Sequence, residues 1–326
     1  MTDIVAVDIG GTHARFAIAT IAADGTIQLG EPETLHTEDH ASFQTAWEAF
    51  RERMGGTLPS DVAMAIAGPV GGEVIRFTNN PWIIRPAQIE AKLGATRYTL
   101  VNDFEAVAHA VARADASEFL HLAGPDEPFA PKGTISVLGP GTGLGVAHLW
   151  RDAEAGTYHV QATEGGHADF APLDTIEDAI LSRLRRRHTR VSVERVVSGP
   201  AIVDIYETLA ALEGRAVPSE DDVAIWTRGI EGSDSLAAAA VDRFCLALGA
   251  TAGDVALTQG GFAGVVIAGG LGYRIREILL TSGFAERFRA KGRFAGLMAS
   301  IPVKLIVHPQ PGLYGAAAAF ARQHLA

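Results

Sequence analysis

Val5-Ala6-Val7-Asp8-Ile9-Gly10-Gly11-Thr12-His13-Ala14-Arg15-Phe16-Ala17-Ile18-Ala19, near the start of a 326-residue chain, decides how the fold is read. A β-branched apolar run reaches one acid, turns through two glycines and a threonine, and re-enters a second apolar run, the pattern of a strand-turn-strand hairpin. The glycines let backbone N–H groups approach a ligand with no Cβ in the way, and the Thr12 hydroxyl adds a donor, so the tip suits an oxyanion. Asp8 closes the first strand beside that tip. A carboxylate there would repel a phosphate unless a cation such as Mg2+ lay between them, so Val7, Asp8, Ile9, Gly10, Gly11 and Thr12 form a candidate nucleotide-metal site. The plainer reading is a glycine hairpin with a solvated acid at its shoulder.

A second copy of the pattern favours the ligand site. Thr134-Ile135-Ser136-Val137-Leu138-Gly139-Pro140-Gly141-Thr142-Gly143-Leu144-Gly145-Val146-Ala147-His148-Leu149 again runs strand, Gly/Thr turn, strand. Two such hairpins predict two related α/β lobes, each offering a backbone loop to one phosphate chain, with the nucleotide between them.

The composition sets bounds. With 48% hydrophobic and 20% charged residues, the chain has material for two lobes with sizeable cores. No charged-then-apolar leader precedes the first strand, and no uninterrupted apolar stretch has bilayer-spanning length, so a cytoplasmic protein without a membrane partner is expected. The single cysteine, Cys245, lies in a helical pattern and reads as core filler in a reducing compartment. A net charge of -11 disfavours a broad nucleic-acid surface. The run Arg183, Arg185, Arg186, Arg187 and Arg190 ends a helix opened by Asp174-Thr175-Ile176-Glu177-Asp178, and bases in a last turn complement the helix dipole.

Between the hairpins, Ser42 caps a predicted helix to about 54, and 61–67 and 73–77 read as strands. Thr78-Asn79-Asn80-Pro81-Trp82 reads as a turn before a proline, with a sugar-facing role as the lesser alternative. The strand 98–101 stops at Asn102-Asp103, and strand ends followed by helix starts are where open α/β sheets place ligands. Asp103 is a candidate N-cap for a helix over 104–114. Residues 123–132 are Gly/Pro/acid-rich and suit a connection into the second lobe. In Thr163-Glu164-Gly165-Gly166-His167-Ala168-Asp169-Phe170, acids and a histidine gather around paired glycines. Carboxylates accept bonds from hydroxyls and histidine does either, so the tip suits a small polyhydroxyl ligand, unless its polar groups only satisfy their own loop. Glu194 precedes Ser198-Gly199-Pro200 as a capping or salt-bridging acid. A buried strand over 264–268 ends at Gly269-Gly270, and a small-residue helix over 312–325, with Gly315 and Ala316 to Ala319, permits close packing. No His or Cys partners His167 at ligand spacing, so no zinc site is expected.

Val7-Asp8-Ile9-Gly10-Gly11-Thr12, Asn102-Asp103-Phe104, Gly139 to Gly145, Glu164-Gly165-Gly166-His167 with Asp169-Phe170-Ala171-Pro172, Glu194-Arg195-Val196-Val197-Ser198-Gly199-Pro200 and Ile267-Ala268-Gly269-Gly270 together resemble the bacterial ATP-dependent glucokinases. The resemblance runs in order along essentially the whole chain. It implies a two-lobed actin-like ATPase (sugar kinase) fold of the α/β class with the nucleotide and sugar in a cleft between lobes. The small lobe would be 1–114 completed by 312–326, and the large lobe 115–311. It further implies Asp103 as catalytic base, with Asn102, Asp103, Glu164, His167 and Glu194 on glucose. ATP would lie on Val7 to Thr12, on Gly141, Thr142 and Gly143, and on Gly269 and Gly270, with Mg2+ reached by Asp8 through water. Relatives are commonly homodimers, so a homodimer is expected. The absence of a cysteine-rich zinc motif after Glu164-Gly165-Gly166-His167 separates the chain from the related repressor and sugar-kinase branch.

An ordinary Asp is ionised at neutral pH, so Asp103 needs no special tuning to accept a hydroxyl proton. The family most often has Asn where this chain has His13, and a histidine near phosphates titrating close to neutrality would make nucleotide affinity pH-dependent. The rival readings are a kinase for another hexose (mannose or fructose), a non-catalytic sugar-responsive binding protein, and a phosphohydrolase on the same fold. With the first strand starting so near Met1 there is no room for a helix-turn-helix before it, which counts against a regulator.

Overall fold

The opening hairpin forms as its residues dictate: β1 (Thr2–Ile9) and β2 (His13–Ile21) pair antiparallel with Asp8 opposite Arg15. The computed structural model describes residues 1–77 and 80–325, and these divide into two compact units, Met1–Ala114 with His308–Ala326, and Asp115–Val307.

In the first unit, β1 and β2 are joined by β3 (Ile27–Leu29), β4 (Glu33–His36), β5 (Asp61–Ile66) and β8 (Arg97–Asn102). The order is β3-β2-β1-β5-β8, with β4 also on β2; β1, β5 and β8 run parallel. Val5, Val7 and Ile9 join one buried cluster while Ile4 and Ala6 join another. A sheet covered on both faces reads as continuous apolar runs, which is why β1 and β5 alternate so weakly. One face is covered by α1 (Phe43–Arg53), which packs Phe43, Ala46, Trp47 and Phe50 inward and opens on a Ser42/Thr45 capping box. A closing helix, Pro311–His324, lies on the other face beside α3 (Asp103–Arg113). Their backbones meet at Gly315, where a Cβ would fall 1.7 Å from the Ala106 carbonyl oxygen.

Two local expectations change. The strand expected over 73–77 shrinks to β6 (Ile75–Arg76), paired with β7 (Ile83–Ile84). Glu73 and Val74 are exposed, so only Ile75 and Phe77 bury side chains there. The N-cap of α3 is Asn102, whose Oδ1 accepts from the N–H groups of Phe104 and Glu105. Asp103 is therefore the first helical residue. Of the Thr78 to Trp82 turn, Thr78 and Asn79 lie outside the described residues. A short helix, α2 (Ile89–Leu93), ends at Gly94 before β8.

The second unit repeats the plan. β10 (Lys132–Pro140) and β11 (Leu144–Asp152) form the second hairpin, and β12 (Thr157–Thr163), β13 (Gly264–Ile267) and β14 (Val303–Ile306) complete the order β12-β11-β10-β13-β14. As in the first unit, two antiparallel neighbours are followed by two parallel ones. One strand is added: β9 (Phe119–Ala123) pairs antiparallel with β14. The stretch 123–132, expected to lead into this unit, therefore lies inside it, because β9 has its hydrogen-bonding partner there.

The helices of this unit include α4 (Thr175–Arg185), α5 (Ala201–Leu212), α6 (Asp222–Glu231), α7 (Ser235–Gln259) and α8 (Gly269–Arg274). By length and composition α7 could cross a membrane, but 72% of its most apolar window is buried inside the protein. Its apolarity is that of a core helix. Cys245 sits there, buried, and burial pushes its thiol up to about 12, so it is filler with no thiolate at neutral pH. Three arginines of the run at the end of α4 pair with acids: Arg183 with Asp204 and Glu207, Arg187 with Asp204, and Arg190 with Asp169.

Candidate functional site

In the first unit the Gly10-Gly11-Thr12 turn is held by its oxygens. Asn80 Nδ2 donates to the Gly10 carbonyl (3.4 Å), Thr37 Oγ1 to that of Gly11 (2.9 Å), and the Thr37 N–H to that of Thr12 (3.0 Å). Among the described residues no acceptor meets the N–H of Gly11 or Thr12, so both are free for an anion. Asn80 Oδ1 also accepts from the Trp82 N–H at 2.9 Å. That uses Asn80 in an Asx turn and as a brace for the Gly10-Gly11-Thr12 turn.

His13 bonds Thr12 Oγ1 through Nδ1 at 2.8 Å and lies 4.6 Å, ring to ring, from His36 across the strand pair. Burial, then His36 and Arg15, lower its pKa below the ordinary 6.5. The neutral form thus dominates at pH 7.

Asp8 ends beside this turn. Arg15 Nη1 approaches its Oδ2 at 3.5 Å, and at Gly312, in the first turn of the closing helix, a Cβ would stand 2.7 Å from the same oxygen. Gly312 leaves room for the carboxylate next to a helix N-terminus, where negative charge is favoured. Burial still raises the Asp8 pKa, partly opposed by Arg15.

Asp103, at the end of β8, has its pKa raised from 3.8 to about 6. Burial is the larger cause and the Asp8 charge the second, against bonds from the Phe104 N–H at 2.9 Å and from Asn102. The expectation of an ordinary, untuned carboxylate is corrected: the Asp103 carboxyl lies well above its usual range and is still mostly ionised at pH 7. Asn102 spends its Oδ1 on capping and one amide hydrogen on the Gly68 carbonyl (3.2 Å), leaving a single N–H for a ligand.

In the second unit, Gly141-Thr142-Gly143 joins β10 to β11. The Gly141 N–H closes the turn onto the Gly143 carbonyl (2.8 Å), and the Gly141 carbonyl accepts from the Gly199 N–H (2.7 Å). No acceptor among the described residues meets the N–H of Thr142 or Gly143, as in the first turn. Gly269 abuts the same turn: at φ 84 it occupies the left-handed region, and a Cβ would lie 2.7 Å from the Pro140 carbonyl oxygen. Nothing fills the space a Cβ would take at Gly141 or Gly270, so both faces are open.

The same unit gathers Glu164, His167 and Glu194. Gly165–His167 is a single 3-10 turn, with Glu164 and His167 exposed and 3.8 Å apart. The segment after it is stitched to the one before Glu194: Asp169 bridges Ser192, the Phe170 N–H donates to Val191 (3.0 Å), and the Val193 N–H to Ala168 (2.8 Å). Glu194 Oε2 accepts from the Leu144 N–H at 2.9 Å.

The residues around Asp8 suit Mg2+ in one respect, the charge that Asp8 and Asp103 share. Two carboxylates repel one another, and a hard divalent cation relieves such a pair while taking oxygen donors. Groups of three or more His, Cys, Asp or Glu able to hold a metal do not occur among the described residues. A Mg2+ ion here would take one or two carboxylates and complete its shell from phosphates and water.

Comparison with known proteins gives the family. The Glucokinase family model matches residues 5–324. A glucokinase of Zymomonas mobilis is 56% identical over 322 residues, covering 99% of this chain and 98% of that protein. A glucokinase of Caulobacter vibrioides is 42% identical over 315 residues, covering 96% and 93%. The crystal structure of a glucokinase from an Antarctic psychrotroph aligns with a TM-score of 0.86 at 32% identity, covering 99% of both chains. The duplicated sheet with a Gly/Thr turn in each copy is that of the actin-like two-lobed kinases. Within that class the chain belongs to the glucokinase family.

Proposed function

We propose that this protein transfers the γ-phosphate of ATP to the 6-hydroxyl of D-glucose, giving glucose 6-phosphate and ADP. Asp103 carries the reading: in a chain of the glucokinase family, a strand-end carboxylate beside the Asp8 charge has its pKa brought to about 6. At pH 7 such a group is about nine-tenths ionised and still basic enough to take a proton from a hydroxyl.

The sugar O6 attacks the γ-phosphorus, its proton passes to Asp103, and the bond from that phosphorus to the bridging oxygen of ADP breaks. The transition state is loose, so positioning and charge neutralisation supply most of the acceleration. Asn102, Glu164, His167 and Glu194 orient the sugar by accepting from and donating to its hydroxyls. The free N–H groups of Gly11, Thr12, Thr142 and Gly143 receive phosphate oxygens, and the adenosine lies at Gly269 and Gly270, where Gly270 has open space beside it. Mg2+, bound with ATP and reached by Asp8 through water, supplies neutralisation of phosphate charge. A homodimer in the cytoplasm, with no zinc and no nucleic-acid or membrane partner, completes the reading. It divides the chain into a small lobe, 1–114 with 312–326, and a large lobe, 115–311.

ADP release measured with and without glucose tests it. Release that needs glucose, and exceeds that with mannose or fructose, is expected. A higher kcat/KM on either of those sugars would reassign the substrate, since pocket shape fixes sugar choice. Sugar binding without ADP release would mark a sugar-responsive binding protein, and release regardless of sugar a phosphohydrolase.

A further inference from the structure

We propose that Glu194 couples the two substrates: one carboxylate oxygen holds the second phosphate turn while the other is left for the sugar. The inference rests on the assignment of Glu194 as a sugar ligand.

The geometry lies wholly within the second unit. The segment from Glu194 to Gly199 grips the turn at both ends. Glu194 Oε2 accepts from the Leu144 N–H (2.9 Å), and the Gly199 N–H donates to the Gly141 carbonyl (2.7 Å). Gly199 is itself anchored, its carbonyl accepting from Trp226 Nε1 at 2.8 Å. The approach is so close that a Cβ at Gly143 would stand 2.4 Å from Glu194 Oε2. Among the described residues Oε1 receives no hydrogen bond. On its other side the segment is stitched to the Glu164–His167 turn through Ser192, Val193 and Ala168.

A ligand that orders Glu194 from the sugar side therefore also orders Leu144 and Gly143, whose neighbouring N–H groups are those offered to phosphate. Such an effect must be reciprocal: if sugar tightens nucleotide, nucleotide tightens sugar by the same factor.

Two variants test the coupling with binding measurements that need no turnover. For the wild type, glucose is expected to tighten a non-hydrolysable ATP analogue by about five-fold or more, the lower end of usual coupling between sites. In Glu194→Ala the ratio of analogue Kd without and with saturating glucose should fall to about one. Gly143→Ala places a methyl where Oε2 now lies, and the group displaced is the end of a flexible side chain, so the turn itself survives. That variant should weaken glucose binding by about five-fold or more with no nucleotide present, although the change is in the phosphate turn. No coupling in the wild type, a ratio retained in Glu194→Ala, or an unchanged glucose Kd in Gly143→Ala would each overturn the proposal. Wild-type turnover of glucose with any of these results sinks the coupling alone, whereas no glucose-dependent ADP release sinks the functional reading beneath it.

Discussion

Replacing Asp103 with Asn should damage turnover and strengthen the fold at the same time. The carboxylate has its pKa raised from 3.8 to about 6, so its ionised form is disfavoured in the folded protein. The wild type is most stable while Asp103 is protonated in both states and loses stability as pH rises from 3.8 through 6. The full gap corresponds to about 3 kcal/mol, a ceiling because the carboxylate is only partly buried. Between pH 5 and pH 8 the same relation gives a change of about 1.4 kcal/mol. Asn keeps an oxygen for the Phe104 N–H and does not ionise, so it escapes this penalty. The expected result is a Tm for Asp103→Asn above wild type at pH 8, with a smaller difference at pH 5, read by calorimetry at both pH values. ADP release with glucose and ATP saturating should fall by about 10²- to 10⁴-fold, as for loss of a general base. A Tm difference that is the same at both pH values, or a variant less stable at pH 8, would refute the account of Asp103, as would near-normal turnover.

The acid limb of kcat/KM should bend near pH 6 and follow one proton, losing about ten-fold by pH 5, whereas an ordinary carboxylate would hold its rate to that point; direct ADP quantification across pH 4.5–8 would read this, and a flat profile down to pH 5 would contradict it. Because His13 is held below its ordinary pKa, His13→Asn should leave the pH dependence of the ATP KM unchanged between pH 7 and 8. A pH-dependent difference between the two proteins in that interval would show that the imidazole titrates there. Gly312→Ala puts a methyl 2.7 Å from Asp8 Oδ2 and forces that side chain from its rotamer, at about 0.5–1.5 kcal/mol. Raised KM for Mg-ATP by about 2- to 10-fold with the glucose KM unmoved is expected from steady-state kinetics, and an unmoved nucleotide constant would mean that Asp8 has no part in that site.

What could be read from the chain was local. Both Gly/Thr hairpin turns, the Ser42 cap and the Gly315 to Ala319 stripe announce themselves within a few residues, because hairpin tips, caps and close helix packing have short-range signatures. Order among adjacent polar residues was harder: Asn102 and Asp103 are both good caps, and only the backbone at Asn102 settles which one serves. The properties that give the candidate site its chemistry are non-local. The Asp103 pKa depends on Asp8 from another strand, Asp8 has its space because residue 312 is glycine, and Glu194 meets Leu144 fifty positions away. Arg15 opposite Asp8 is the exception, since counting back across the hairpin turn would have found it.

The helix Pro311–His324 seals a sheet whose strands were made before the whole second unit. During synthesis, Ile4, Ala6, Ala17, Ala63 and Ala65 emerge with only α3 to share their face until that helix leaves the ribosome. The middle unit, uninterrupted in sequence, can mature first, while the unit begun earliest is finished last. A nascent chain cut short before that helix would carry a half-covered apolar sheet face, a natural target for chaperones and proteases.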